Sequence, residues 1–346
     1  MTDQMTRVIL ARRPTGAPVD EDFKLDTCPI PDPGEGEVLV RVHYMSLDPY
    51  MRGRMDDAKS YATPIPVGGT MEGGSVGEVI ASNHPDFAPG DFAFGMFGWA
   101  THGVQPGKMI RKVDPAHGPI TASLGVLGMP GFTGWYGLTQ YGQPKEGETV
   151  VVAAATGPVG SMVGQLAKAR GCRVVGVAGG PEKCKMAVET FGFDDCLDHR
   201  AYADAKEMRE ALASACPKGI DIYFENVAGK VLEGVLPRMN VGGRIPVCGM
   251  ISWYNAGALG ADAGGTKDQL PKMWRTILVN RLHVHGFIIS DHWNSFPEFL
   301  REVGPMVASG KLKFVEDVAE GLENAPRAFM GLLEGRNKGK QVVKVI

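Results

Sequence analysis

Residues 149–160, which read TVVVAAATGPVG, join a β-branched run to a turn of small residues. Glycines at two positions let the backbone approach a pyrophosphate closely, and the helix that begins in the turn offers unpaired N–H groups and the positive end of its dipole. The turn and helix start are formed by Gly157, Pro158, Val159 and Gly160. A second β-like run, RVVGVA, follows within about 30 residues, as in a dinucleotide-binding unit. The alternative is a merely tight strand-to-helix turn, because Ala155 replaces the first glycine of G-x-G-x-x-G.

The residue types after the second strand decide which dinucleotide fits. An NAD site places Asp or Glu about 20 residues past the glycines to bind the ribose hydroxyls. This sequence has Ala178-Gly179-Gly180 there, followed by Lys183 and, after the next strand-like segment, His199-Arg200. The missing acid and the basic residues favour NADP, whose 2′-phosphate a basic pocket would bind. Taken alone, Lys183 is more simply an exposed, solvated lysine at a helix start.

The bulk composition is typical of a protein that acts on small molecules. The 346 residues carry a net charge of −3 and are 44% hydrophobic and 22% charged. Because charges of both signs are interspersed, we expect neither a nucleic-acid nor a membrane partner. No run reaches the roughly 18 apolar residues of a membrane span, and the N-terminal residues lack a secretory pattern, so we expect a cytoplasmic protein. The cysteines form no CxxC pair, which argues against structural zinc and disulfides.

The order of strand-like and helix-like segments predicts two domains. Short β-like runs separated by Gly, Pro and Asp turns fill roughly the first 120 residues and predict a barrel-like domain. Beyond them, strands alternate with helical patterns, which predicts a doubly wound parallel α/β sheet. The chain then has a helical stretch and closes on the strand-like KQVVKVI. We expect the β domain at residues 1–125, the Rossmann domain at 126–290, and a return to the β domain at 291–346.

A β domain followed by a Rossmann domain resembles the medium-chain dehydrogenase/reductase superfamily, whose alcohol dehydrogenases bind a catalytic zinc. Leu47-Asp48-Pro49 stands where the resemblance would put the first Cys ligand, and Thr70-Met71-Glu72-Gly73 where it would put a His-Glu pair. The first domain has Cys28 as its only cysteine. We therefore expect no metal, which disfavours alcohol oxidation and leaves reduction of a polarised double bond.

Longer motifs narrow this resemblance. They are SLDPYMR at 46–52, GMPGFTG at 128–134, ENV at 225–227, CGMISWYN at 248–255 and NKGK at 337–340. Together they are similar to the zinc-independent branch of prostaglandin reductases, leukotriene dehydrogenases, curcumin reductases and plant alkenal double-bond reductases, over nearly the whole chain. The resemblance implies a doubly wound Rossmann sheet for NADP(H) and a GroES-like β-barrel catalytic domain.

The resemblance also implies roles for single residues. Tyr254 would be catalytic, and Tyr50 and Arg52 would lie at the substrate mouth. The cofactor would be bound by Met129, Pro130, Thr133, Gly157, Pro158, Val159, Gly160, Lys183, Asn226, Cys248, Gly249, Ile251, Ser252, Tyr254, Phe287, Ile288, Ile289 and Asn337. The family usually has Tyr where His199 stands, so a contact of His199 with the 2′-phosphate stays open. Alternatively the two tyrosines are packing rings, Phe287 is a core residue and Arg52 braces a domain interface.

These roles imply an NADPH-dependent reductase of the carbon–carbon double bond of α,β-unsaturated ketones and aldehydes. Hydride would reach the β-carbon, and the Tyr254 hydroxyl would stabilise the enolate. A quinone reductase of the same superfamily, and a non-enzymatic nucleotide-sensing or RNA-associated protein on the same fold, remain alternatives. Because relatives are commonly dimers and an edge of the Rossmann sheet can pair across a two-fold axis, we expect a homodimer.

Overall fold

The computed structural model describes residues 4–115, 118–257 and 270–346. The chain divides into two compact units. The first unit takes Met1–Gly128, Tyr254–Asp262 and Glu316–Ile346, and the second takes Met129–Trp253 and Ala263–Val315.

Strands and helices are numbered separately along the chain. The strands are β1 (Gln4–Leu10), β2 (Phe23–Pro29), β3 (Glu37–Ser46), β4 (Ser75–Ser82), β5 (Phe92–Gly95), β6 (His102–Pro106), β7 (Arg111–Val113), β8 (Thr149–Ala153), β9 (Arg173–Ala178), β10 (Asp195–Asp198), β11 (Ile220–Phe224), β12 (Met239–Val247), β13 (His283–Gly286), β14 (Glu316–Glu320) and β15 (Lys340–Lys344). The α-helices are α1 (Met51–Arg54), α2 (Met129–Tyr136), α3 (Pro158–Ala169), α4 (Pro181–Glu189), α5 (Ala205–Ala215), α6 (Gly229–Val235), α7 (Leu270–Asn280), α8 (Phe296–Ala308) and α9 (Ala325–Leu333). A π-helix at Gly137–Gly142 follows α2.

The second unit is built on a six-stranded parallel sheet in the order β10-β9-β8-β11-β12-β13. Counted within the unit, this is the doubly wound order 3-2-1-4-5-6. β8 is buried along its whole length, and its sequence TVVVA is apolar throughout because a parallel strand covered on both faces has no solvent side. The strand order reverses between β8 and β11, so a ligand is expected beyond the C-terminal ends of these two strands. The predicted doubly wound sheet is confirmed.

Helix α3 packs beside β8 at this point. Its buried residues include Met162, Val163, Leu166 and Ala167, as the periodicity predicted, whereas Val159 at its start is half-buried. The helix therefore begins where the sequence analysis expected it and turns its apolar face to the sheet.

The first unit contains a largely antiparallel sheet in the order β14-β15-β3-β4-β5-β7, with β6 also paired to β3, and a separate β1-β2 hairpin. β15 lies between β14 and β3, with Val342 opposite Ser46. In the core of this unit, Trp99 stacks on Phe23 with ring centroids 5.8 Å apart and meets Phe329 edge-on at 5.5 Å. The strand predicted from KQVVKVI is confirmed.

The chain returns to the first unit at Glu316, whereas we expected the return at residue 291. Helix α8 stays with the second unit because fully buried Phe299 packs on Phe132 and Trp135 of α2, with ring centroids 5.6 and 5.9 Å away. The Trp135 indole N–H also donates to Glu302 of α8 at 2.7 Å. An amphipathic pattern shows which face of a helix is buried but not against which partner, so the sequence could not fix this boundary.

Candidate functional site

The loop after β8 forms a tight cradle at the start of α3. Gly157 is the N-cap residue, contributes no side-chain cap, and is followed by Pro158 at the first helical position. A Cβ at Gly160 would overlap the carbonyl oxygen of Ala154, so the backbone approach requires glycine. Ala154 itself adopts a left-handed φ of 50°. The helix N-terminus and the open glycine backbone suit an anion, as the residue types predicted.

Basic side chains lie against the glycines that follow β9. A Cβ at Gly179 would be 3.0 Å from Nε2 of His199 and 3.0 Å from Nε of Arg200. Lys183 lies in the first turn of α4, which begins directly after these glycines. The structure thus brings Lys183 and His199, predicted from separate segments, to the same end of the sheet.

A carboxylate also lies at the C-terminal end of β9. It comes from the neighbouring strand β10, so the spacing of residues after β9 could not predict it. β10 pairs with β9 so that Asp198 is opposite Ala178, and its Oδ1 accepts the N–H groups of Gly180 at 2.8 Å and Arg200 at 2.9 Å. Burial alone would raise the pKa of Asp198, but these hydrogen bonds outweigh it and hold that pKa below its usual value. The ionised carboxylate fixes the turn that carries His199.

Lys230 of α6 adds a further cation that the sequence analysis did not single out. Its Nζ donates to the carbonyl oxygens of His199 at 2.9 Å and Tyr202 at 2.5 Å. Burial, and then the charges of Lys230, Arg200 and Lys183, lower the pKa of His199 below its usual value, against a smaller opposite effect of the nearby carboxylate. The imidazole is therefore mostly neutral at pH 7, and a bound anion would favour its protonated form.

Beyond β11, the turn at residues 225–229 carries Asn226 across the point where the strand order reverses. The Asn226 side chain donates from Nδ2 to the carbonyl of Ala153, the last residue of β8, at 2.8 Å. Its Oδ1 accepts the Cys248 thiol at 2.7 Å. Burial, with the nearby charge of Glu225, raises the pKa of Cys248, so the thiol keeps the proton that it donates.

The segment at residues 248–252 lies on the carbonyl groups of the same turn. The N–H groups of Cys248 and Gly249 donate to the Glu225 carbonyl at 3.1 and 3.3 Å. The N–H of Ile251 donates to the Asn226 carbonyl at 3.2 Å, and that of Ser252 to the Val227 carbonyl at 3.1 Å. The structure therefore brings together Asn226, Cys248, Gly249, Ile251 and Ser252, which the resemblance assigned to the cofactor.

Two other predicted cofactor segments are partly occupied by internal contacts. The ring of Phe287 is 8% exposed and packs on Tyr141 with ring centroids 5.4 Å apart, in line with the alternative of a core residue, and its contact with the cofactor stays a prediction. The adjoining Ile288 and Ile289 are half-buried. In α2, the Thr133 hydroxyl donates to the Met129 carbonyl at 2.8 Å. Pro130 between them is buried.

Tyr254 and Asn337 belong to the first unit. Tyr254 lies in the 3-10 helix Ile251–Ala256 and is half-buried. Asn337 is also half-buried, and its Nδ2 donates to the carbonyl of Gly339 at 2.7 Å. Their roles in catalysis and cofactor binding stay predictions.

A buried ammonium anchors the SLDPYMR motif of the first unit. Nζ of Lys340 in β15 donates to the Leu47 carbonyl and to Oδ1 of Asp48, both at 2.7 Å, and the Ser46 hydroxyl donates to the other Asp48 oxygen. Lys340 is 3% exposed, and burial lowers its pKa against the opposite effect of Asp48. The motif is therefore held in place by a strand almost 300 residues away in sequence.

Tyr50 belongs to a polar cluster in the same unit. The guanidinium of Arg54 lies 5.5 Å from the ring centroid of Tyr50 and 4.4 Å from that of Tyr61, and it forms a 2.6 Å ion pair with Glu72. Burial first, and then the charges of Asp48 and Glu72, raise the pKa of Tyr50 well above its usual value. The half-buried Tyr50 hydroxyl therefore keeps its proton at neutral pH and is available as a donor.

Arg52 is almost fully buried within the first unit. Its side chain is 1% exposed, and its guanidinium donates to Asp56 at 2.5 Å and to the Gly16 carbonyl at 2.8 Å. These contacts brace a loop of its own unit, and its place at the substrate mouth stays a prediction.

The residues at the positions of zinc ligands do not fit a catalytic zinc. Asp48 is paired with Lys340 and Glu72 with Arg54, so each candidate carboxylate already has a cation. Among the described residues, no three His, Cys, Asp or Glu side chains form a group that could hold a metal ion. A zinc site would need such a group of donors.

Family models match large parts of both units. One described as the N-terminal domain of oxidoreductase matches residues 6–113, and one described as zinc-binding dehydrogenase matches residues 158–304. NADPH-dependent curcumin reductase of Escherichia coli (strain K12) is 53% identical over 340 residues, which cover 98% of this chain and 96% of that protein. The NADP(+)-dependent 2-alkenal reductase of Nicotiana tabacum is 41% identical over 345 residues, 98% of this chain and 97% of that protein. The crystal structure of CurA from Vibrio vulnificus in complex with NADPH matches with a TM-score of 0.91 at 49% identity and covers 99% of both chains. These matches confirm the predicted fold class.

Replacing Lys340 by Met should destabilise the first unit. The substitution leaves the Asp48 carboxylate buried without its cation, and breaking a buried pair in this way costs about 3 to 5 kcal/mol. Denaturant unfolding should show this loss in K340M and a smaller loss in K340M/D48N, which also removes the stranded charge. The control K344M breaks an exposed pair on the same strand and should cost less than about 1 kcal/mol. Equal losses in K340M and K344M would contradict the anchoring role.

Proposed function

The chain belongs to the zinc-independent branch of the medium-chain dehydrogenase/reductase family, and from this premise we propose that it is an NADPH-dependent reductase of the carbon–carbon double bond of α,β-unsaturated ketones and aldehydes. The observation that carries the proposal is the group of basic side chains at the C-terminal end of β9. It occurs in a chain that is similar over 98% of its length to a reductase of this kind. Curcumin and 2-alkenals share a double bond conjugated to a carbonyl, which is the group that a hydride can reduce at its β-carbon.

NADPH is the cofactor. The glycine cradle at the start of α3 suits its pyrophosphate, and Lys183, His199 and Arg200 suit its 2′-phosphate. Glycine at 160 lets the start of α3 pack against the Ala154 carbonyl, and glycine at 179 leaves room for the His199 and Arg200 side chains at the end of β9. When bound, NADPH supplies the hydride that the substrate's β-carbon accepts.

The chain's own contribution to the chemistry is a donor at the carbonyl oxygen. Addition of hydride at the β-carbon moves negative charge to that oxygen, so a hydrogen bond formed there stabilises the transition state more than the ground state. The Tyr254 hydroxyl is the proposed donor. Tyr50, whose raised pKa keeps its hydroxyl protonated, is the proposed polar contact at the substrate mouth.

We further propose that the protein is a homodimer paired through β13. This strand ends the six-stranded sheet, all of its residues are exposed, and its outer edge has no strand partner in the described part of the chain. On α7, Leu270, Trp274 and Leu278 are 57%, 62% and 77% exposed at intervals of four residues, which makes an apolar stripe. A second copy offers the same edge across a two-fold axis and would cover both features. Sedimentation equilibrium measures the mass; a monomer at micromolar concentration would contradict this pairing.

The remaining expectations concern partners and location. No helix of the described residues is both long and apolar enough to span a bilayer. The expected absence of nucleic-acid and membrane partners, and the cytoplasmic location, stay predictions.

The proposed function is tested by following NADPH oxidation with a panel of medium-chain enones, 2-alkenals and a benzoquinone, with NADH in parallel. We expect consumption with the enones and 2-alkenals, and a preference for NADPH over NADH. Faster reduction of the quinone would favour a quinone reductase. No NADPH consumption with any member of the panel would favour a non-enzymatic protein.

The Tyr254→Phe variant should lose turnover without losing NADPH binding. One such donor is worth about 3 to 4 kcal/mol in a transition state, so kcat should fall by on the order of a hundredfold or more. Steady-state kinetics measures kcat, and a fluorescence titration measures the Kd of NADPH. Tyr44→Phe, which changes a half-buried tyrosine on β3, is the control and should have the wild-type kcat. An unchanged kcat in Tyr254→Phe would remove Tyr254 from the mechanism.

The affinity for NADPH should depend on pH through His199. The pKa of His199 is low before binding, and a bound 2′-phosphate would raise it, so binding takes up a proton between the two values. The affinity for NADPH should therefore weaken as pH rises from about 6.5 to 8.5. This range lies above the second pKa of the phosphate, so the phosphate itself changes its charge little. NADH, which lacks this phosphate, should bind with little change. Titrations of His199→Gln should show a flatter profile for NADPH; a wild-type profile in this variant would exclude His199 from the phosphate site.

A further inference from the structure

A single buried carboxyl group holds the turn after β11. The Glu225 side chain is 1% exposed, and its Oε1 accepts the Tyr223 hydroxyl at 3.0 Å and the N–H groups of Val227 at 2.7 Å and Ala228 at 2.8 Å. Neither the family motifs nor the proposed chemistry gives this carboxyl a role. Its hydrogen bonds all go to its own strand and to the turn that it begins.

The turn has a conformation that the chain would not adopt without such support. Ala228 has φ 66° and ψ −155°, a region that strains any residue with a side chain. Gly229 also has a positive φ of 58°, and a Cβ there would lie 3.1 Å from Oγ of Ser252. Because Glu225 accepts the N–H group of Ala228 itself, its carboxyl stabilises the strained residue directly.

The strained turn also holds the residues that are predicted to bind the cofactor. Its side chain at Asn226 bridges to the end of β8, and its carbonyl groups accept the N–H groups of residues 248, 249, 251 and 252. The Ser252 hydroxyl adds a bond to the Val227 carbonyl at 2.5 Å. A change in the turn would therefore move Asn226 and the segment at residues 248–252 together.

The other oxygen of Glu225 shows that the carboxyl is kept at some cost. Oε2 is buried and has no hydrogen-bond partner among the described residues. Burial raises the pKa of Glu225 despite the hydrogen bonds at Oε1. Burying an acidic side chain with an unpaired oxygen costs free energy, and the hydrogen bonds that order the turn offset part of that cost.

We propose that Glu225 is a positioning residue for the ribose and nicotinamide part of NADPH. It acts through the turn at residues 226–229, which presents Asn226 and the segment at residues 248–252, and it does not itself touch the cofactor. This inference rests on the proposed function, because it takes NADPH as the ligand of that segment.

The test compares Glu225→Ala, Glu225→Asp and Glu225→Gln with the control Glu148→Ala. Glu148 is a half-buried carboxylate of the same unit and pairs with Arg244 at the opposite end of β8. Its loss should therefore weaken the fold without changing the turn. The readouts are the Kd of NADPH from fluorescence titration, deuterium exchange at residues 226–229 and 248–252, the melting temperature, and KM and kcat.

Glu225→Ala should raise the Kd and KM of NADPH by about tenfold or more, since hydrogen bonds to an acidic side chain are among the stronger ones. Exchange should rise at both segments. Glu225→Asp, which keeps a carboxylate but withdraws it by one methylene group, should show the same changes in smaller degree. Glu225→Gln keeps an acceptor oxygen and should recover most of the affinity. Glu148→Ala should lower the melting temperature with an unchanged Kd.

A second substitution tests the strain directly. Ala228→Gly in the Glu225→Ala background should recover part of the NADPH affinity, because glycine adopts a positive φ without a side-chain penalty. If Glu225→Ala and Glu225→Asp bind NADPH as tightly as Glu148→Ala, the carboxyl only stabilises the fold and the proposal is wrong. A wild-type protein that binds NADPH but reduces no enone would overturn the proposed function instead, and the binding comparison would still decide the role of Glu225.

Discussion

The turns that follow β8 and β11 leave the sheet at the point where the strand order reverses, so the backbone groups there need partners outside the strand pairing. Side chains supply those partners. Asn226 reaches from one strand end to the carbonyl of Ala153 on the other, and Glu225 satisfies the amides of the turn that carries it. These bonds fix the turn after β11 against the end of β8. The cradle at Gly160 begins from the same strand, so the parts of the site that would bind pyrophosphate and nicotinamide share one fixed origin.

The other part of this site, at the end of β9, is organised by charge rather than by geometry alone. Lys183, Arg200 and Lys230 come from three different elements and together oppose protonation of His199. Asp198 offsets only part of this repulsion, because backbone N–H groups take up its oxygen. A dianionic group bound among these cations would lower their mutual repulsion. We expect selectivity for a phosphorylated ribose on this ground.

Local patterns made much of this predictable from sequence. The β-branched run before Gly157 and the spacing of apolar residues in α3 fix a strand, a turn and a helix within one short stretch. The role of Asp198 depends instead on the pairing of β10 with β9, and that of Lys230 on where α6 packs, so neither can be inferred from neighbouring residues. Arg52 is of a residue type that often binds ligands, but its guanidinium is buried and donates to the carbonyl of Gly16, which is distant in sequence. Contacts between remote segments are what a single sequence does not show.

The position of β15 within the first sheet has a consequence for how the protein is made. β3 is complete early in synthesis, yet its partner strand at Lys340–Lys344 leaves the ribosome only after the whole second unit has emerged. Until then the nascent chain exposes an open strand edge, while the second unit already has all of its strands. The first unit therefore completes its sheet only after the second unit has been synthesised, and until then the open edge of β3 is the part that a chaperone would need to shield.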